Sequence, residues 1–219
     1  MILKNLSRSN HPWTLQRLLL ISVLALGLTG CGVQAINSAT VATSYIAHID
    51  GAPASARVGV VLENGKFAVY ICSLDDAFNL TTARWYSGDV AGDGTVQGVS
   101  TDGVKFQGKV NNGQFSGTIV NTDGQTLTFS GSPVPAGGPA GLYRGISQYG
   151  SQEVVVGAVV DPDGSFASTV QVRGKLEFIT PVASAPLRVD NTTIKVTIGD
   201  LSQQVEALLV TTLKGVELF

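Results

Sequence analysis

Apolar and polar residues alternate with a period of two through much of the chain. In residues 104–110, Val104, Phe106 and Val110 fall on one face and Lys105, Gln107 and Lys109 on the other. Phe115 and Ile119 continue such a face, as do Leu127 and Phe129. A period of two with polar partners predicts antiparallel strands, each with one buried side. Gly-containing turn signals separate these strands at Asp93-Gly94, Asp102-Gly103, Asn112-Gly113 and Asp123-Gly124, spaced nine, ten and eleven residues apart. Asx-Gly suits tight hairpins whose two central residues both need positive φ.

The same pattern flanks this β-meander. Residues 57–62 and 66–72 bracket Asn64-Gly65, and residues 153–161 and 165–173 bracket Pro162-Asp163-Gly164. The run 154–160, VVVGAVV, does not alternate and predicts a strand covered on both faces. Residues 192–198 alternate again. Strands at this spacing predict an all-β fold, an antiparallel meander forming a barrel or a sandwich. Two stretches differ. Residues 73–84, SLDDAFNLTTAR, predict a short helix with Ser73 as N-cap and Asp76 three residues on. Residues 200–215 suit either a helix capped by Asp200 or a buried strand, and the β surroundings favour the strand.

The N-terminus follows other rules. Lys4, Arg8 and Arg17 precede an apolar run from Leu18 to Leu28, and no acid occurs before Asp50. Eleven apolar-run positions fall short of the roughly 20 needed to span a bilayer. A basic segment, a short apolar core and small residues describe a cleaved secretory signal. Leu28-Thr29-Gly30-Cys31 resembles the lipobox of bacterial prolipoproteins: a branched aliphatic residue, two small residues, then cysteine. The resemblance implies a diacylglycerol on Cys31, cleavage before it, and acylation (palmitate being typical) of the new amino terminus. The expected organisation is therefore a signal peptide over residues 1–30 and a lipidated cysteine with a flexible tether over 31–43. One β-domain follows over 44–219, with a split near residues 133–141, PVPAGGPAG, as the alternative. Such a protein is extracytoplasmic and held to a membrane through Cys31. Gly32, in place of an Asp, slightly favours the outer membrane if the cell has two.

Composition narrows the chemistry. Without residues 1–30 the chain keeps 11 basic and 16 acidic residues, a formal charge of −5. That balance argues against a nucleic-acid partner. With Cys31 acylated, Cys72 is the only thiol, so no internal disulfide forms; Cys72 reads as a small buried hydrophobe. His48 is the only histidine of the mature chain, sits in the first predicted strand and has no serine elbow near it. Neither a zinc site nor a catalytic triad is expected, and no cofactor is. The acids Asp89, Asp93 and Asp102 lack the spacing of a calcium loop. A hydrolase would need carboxylates alone, such as Asp75 with Asp89, and their spacing singles out neither.

The best candidate for binding is Trp85-Tyr86, two large aromatics that either floor a pocket at a barrel end or fill the core. AVYIC (68–72), WYSG (85–88), AGLYRG (140–145) and VVDPDG (159–164), with the hairpins between, are similar in that order to a family of secreted or membrane-anchored bacterial β-domains. That resemblance implies an architecture and no catalytic residues. Here Ser73 follows the cysteine where that family often has an acid, and residues from 176 on lie outside the resemblance. The expected function is that of a non-catalytic module binding a small ligand or another envelope component, with a scaffold lipoprotein as the alternative. Cys31→Ala is expected to leave an uncleaved, unlipidated precursor by intact mass; trimming at the same site in that variant would refute the lipobox.

Overall fold

A computed structural model of the chain describes residues 41–173, 178–179, 181–182, 192–198 and 203–214. The signal segment, the lipobox with Cys31 and the tether before residue 41 lie outside the described residues, as do Asp200, Leu201 and Gly215. The alternating region folds as anticipated, into strands joined by tight turns. The first sheet comprises β1 (Thr43–Ile49), β2 (Arg57–Glu63), β3 (Lys66–Cys72), β4 (Trp85–Asp89), β5 (Thr95–Val99), β6 (Lys105–Asn111), β7 (Gln114–Val120) and β8 (Thr126–Pro133). Its order is β4-β3-β2-β1-β8-β7-β6-β5, antiparallel throughout, and it curls into a nearly closed barrel with β4 alongside β5. The ladder between β1 and β8, with Ile49 opposite Phe129 and Tyr45 opposite Pro133, joins the two halves of the meander.

The second sheet comprises β9 (Gly141–Tyr149), β10 (Gln152–Val160), β11 (Phe166–Val172), β12 (Phe178–Ile179), β13 (Pro181–Val182), β14 (Thr193–Ile198) and β15 (Gln203–Leu209). Its order, β12-β11-β10-β9-β15-β14-β13, makes a half-barrel. The end strands β12 and β13 are consecutive stretches of one segment, pairing with β11 on one side and with β14 on the other. The C-terminal stretch is a strand: β15 joins β14 to β9, with Leu209 opposite Tyr143.

The turns divide into two kinds. Asn64-Gly65 and Asn112-Gly113 have both residues at positive φ, +50° and +74° in the first, and connect their strands with two-residue loops. The Asp-Gly turns depart from the expectation, because only the glycine takes positive φ. They are one residue longer. In the first, Gly94 N–H donates to Ala91 O and Ala91 N–H donates to Thr95 O, so only the last loop residue needs the left-handed region. The loops at 100–104, 121–125 and 161–165 repeat these two bonds. The aspartate stays in ordinary conformation, and the N–H after the glycine is taken by a turn side chain: Asp93 accepts from Thr95 and Asp163 from Ser165, while Ser100 Oγ accepts from Val104 and Asn121 Oδ1 from Gln125.

The predicted helix is α1 (Asp76–Thr82), and its N-cap is Asp75, which accepts from Phe78 N–H at 2.8 Å; the expected cap was Ser73. Ser73 is buried and already committed. Asn79 clamps its backbone, accepting from Ser73 N–H and donating to Ser73 O at 2.9 Å each, while its hydroxyl pairs with Ser55.

Three apolar clusters result. The first fills the barrel with Tyr45, Tyr86, Phe106, Phe115, Phe129 and aliphatic neighbours. The second lines the half-barrel with alternate residues of β10 (Val154, Val156, Ala158 and Val160) together with Tyr143, Val170, Ile194 and Val205. The third lies between the sheets, where Val155 and Val159 of β10 meet Ile46, Val61, Tyr70, Cys72 and Trp85 of the barrel wall. Both faces of β10 are therefore buried, which explains the unbroken apolar run. Two glycines permit this contact. A Cβ on Gly157 would sit 2.1 Å from Tyr70 Cε1, and one on Gly59 would sit 2.7 Å from Val159 Cγ2. Residues 134–140 cross from one sheet to the other. Gly157→Ala is expected to cost about 2 kcal/mol by overpacking the joint, read as a lowered thermal midpoint; an unchanged midpoint would show that Tyr70 can yield.

Candidate functional site

Trp85 and Tyr86 are consecutive strand residues, so they point to opposite faces of β4. Tyr86 lies inside the barrel, stacks on Phe106 at 5.4 Å and donates from its hydroxyl to Val104 O at 3.2 Å. Its ring covers Gly98 of β5, where a Cβ would come within 2.4 Å of Tyr86 Cδ1. Trp85 lies outside the barrel, stacked on Tyr70 at 4.2 Å in the joint, with the Arg144 guanidinium 6.0 Å from its ring centre. The two aromatics are thus not brought together, both are buried, and neither lines a described cleft. Burial raises the Tyr86 hydroxyl well above the ordinary phenol range.

The barrel seam between β4 and β5 is closed by side chains. Arg84 at the foot of β4 donates through Nε to Asp102 Oδ1 at 3.1 Å and through a terminal nitrogen to Oδ2, while capping Leu80 O and Ala83 O at the end of α1. Asp102 also accepts from Ser100 Oγ. The hydrogen bond from Arg84 holds the Asp102 carboxyl below its ordinary range, against the opposing effect of burial.

A second buried pair lies at the joint between the sheets. Arg57 of β2 donates to Asp161 Oδ2 at 2.6 Å, 104 residues away, and Ser165 Oγ donates to the same oxygen at 2.8 Å. His48 stands opposite Arg57 on β1, 62% exposed, with Nε2 3.6 Å from Asp161 Oδ1. Cys72 lies fully buried close by, where burial pushes its thiol well above the ordinary value. A thiol so placed is inert as a nucleophile. Sequence reading missed both ion pairs, since nothing local joins positions 57 and 161; the available signal was an arginine at the border of an apolar strand.

The acids weighed for catalysis or calcium have local duties. Asp75 caps α1, Asp89 pairs with Lys66 at 2.7 Å, and Asp93 holds its own turn and pairs with Lys109 at 3.4 Å. The structure does not bring Asp75 and Asp89 together: they lie before α1 and at the far end of β4. Among the described residues no three His, Cys, Asp or Glu side chains converge as metal ligands.

Three open clefts are described. One of about 110 Å³ lies between Ala42, the 134–140 crossing and Val210. Another of about 280 Å³ lies beside His48, Ser130 and Asp161. The largest, about 480 Å³, is a groove on the outer face of β5, β6 and β7.

Asp102→Asn tests the seam. A carboxyl whose folded pKa is lowered adds stability that is present above the unfolded value and lost as pH falls through the folded one. The variant is expected to be roughly 3 kcal/mol less stable at pH 7, having left Arg84 without its counter-charge. The gap to the wild type should narrow below about pH 4 in denaturant titrations; a gap independent of pH would refute this role. No family model, curated protein or solved structure matches the chain.

Proposed function

We propose that the protein is a lipid-anchored bacterial envelope protein, tethered outside the cytoplasm through Cys31, whose β-domain works by surface contact and not by enclosing a ligand. The observation that carries the second half is the packed barrel interior. Phe106 lies 5.4 Å from Phe129 and Phe115 lies 5.6 Å from Phe129, with Tyr86 stacked on Phe106 and Tyr45 tilted against Phe115. Side chains fill the lumen that a small-ligand carrier of this shape would keep open. Trp85, the other aromatic suited to a ligand floor, is taken up in the joint. Binding is left to the outer surface.

The first half is supported by Leu28-Thr29-Gly30-Cys31 at the end of a short apolar run. Two or three acyl chains at that cysteine hold stably, since each buried CH₂ contributes about 0.8 kcal/mol. No helix among the described residues is long and apolar enough to cross a membrane. The Gly32 position favours the outer membrane where there are two.

A native mass spectrum of the mature protein, purified from its own host in mild detergent, tests both halves. The expected mass is that of residues 31–219 plus a covalent lipid, with nothing more. An adduct that survives gentle ionisation, leaves on denaturation and persists in Lys105→Glu, a change on the outer face, would overturn the filled-barrel reading; an unlipidated mass would overturn the anchor.

A further inference from the structure

The groove on the outer face of β5, β6 and β7 has a single charged residue in its lining, Lys105. The four strands β5 to β8 contain two lysines and no acid, in a chain whose mature part is formally −5. The acids of this region, Asp102 and Asp123, lie in the hairpin loops at the strand ends. Lys109 is paired with Asp93, whereas Lys105, exposed in the groove, forms no ion pair among the described residues.

The register arranges the groove in two rows. Gln97, Gln107 and Thr118 stand opposite one another on three adjacent strands, and Val99, Lys105 and Val120 form the next row. At the usual strand separation each row spans about 10 Å. The first row offers carboxamides and a hydroxyl, each able both to donate and to accept. The second offers an apolar surface on either side of an ammonium, and Val99 is 68% exposed. A flat ligand matching these rows has hydroxyl or acetamido groups along one edge, an apolar ring face, and a carboxylate. We infer that the groove on β5–β7 binds an N-acetylated glycan strand with carboxylate-bearing peptide branches, with Lys105 taking a branch carboxylate and Gln97 and Gln107 the acetamido and hydroxyl groups. This inference rests on the envelope location proposed above, which places the domain where such glycans occur.

Cosedimentation of the full mature lipoprotein, in mild detergent, with purified peptidoglycan sacculi tests it. The wild type is expected to pellet with the sacculi. Lys105→Glu and the double variant Gln97→Ala/Gln107→Ala are expected to weaken retention at least tenfold with an unchanged thermal midpoint. Lys195→Glu, an exposed change on the second sheet, should pellet like the wild type. Chitin, which has acetamido groups and no carboxylate, should retain the wild type less than sacculi do. A wild type that stays in the supernatant, or a Lys105→Glu variant that pellets undiminished, would overturn the proposal. The intact mass of the same preparation separates this failure from that of the anchor: lipid present without pelleting removes the glycan alone, and lipid absent removes the envelope placement itself.

Discussion

The contact of Tyr70 with Gly157 is the constraint on which the arrangement of the two sheets depends. A glycine on β10 lets the ring of Tyr70 lie directly on the second sheet's backbone. The hydroxyl then reaches across to Thr169 O, at 3.3 Å. Trp85 stacks on that ring, and Gly59, opposite Tyr70 on β2, admits Val159. One missing side chain on each sheet thus converts two curved surfaces into a close-packed joint, where a void or an extra methyl group would be felt. The Arg57–Asp161 pair lies at the border of this apolar area. Both its side chains are buried, so removing one partner would strand the other's charge.

The barrel uses a different device. Its strands are short, and several interior positions are large rings, so the lumen is occupied before any ligand arrives. Glycines compensate on the facing strands: Gly108 lies under Phe115, and Gly117 lies against the backbone of β6. Where β4 and β5 diverge, Tyr86, Arg84 and Asp102 replace the missing ladder with side-chain bonds. The result is a barrel with a filled lumen and a polar outer face.

Much of the fold was legible in the sequence because strand alternation and Asx-Gly turns are local signals. Every hairpin from Arg57 to Val120 was visible in that way, and VVVGAVV reported its two buried faces directly. The cap of α1 was misplaced by two residues, because the clamp of Asn79 on Ser73 depends on a side chain six positions away. The Asp-Gly loops were assigned the wrong conformation, since the extra loop residue lies on the side of the turn that composition does not mark. Candidate chemistry was harder to see. Trp85 and Tyr86 looked like a pair in the chain, yet adjacent positions on a strand are divided by the sheet. The groove on β5–β7 arises from three strands in register, and no single one of them carries its pattern.

The clasp of Glu63 on the chain's far end bears on the order of events during biogenesis. The Glu63 carboxylate, in the first third of the chain, accepts from Thr212 Oγ1 at 2.9 Å and from Leu213 N–H, 150 residues later. In the same region β9 acquires its second neighbour only with β15. Neither contact can form before residues 203–213 are in place. Pairings so distant in sequence fold slowly, so the joint and the Glu63 clasp close late in folding.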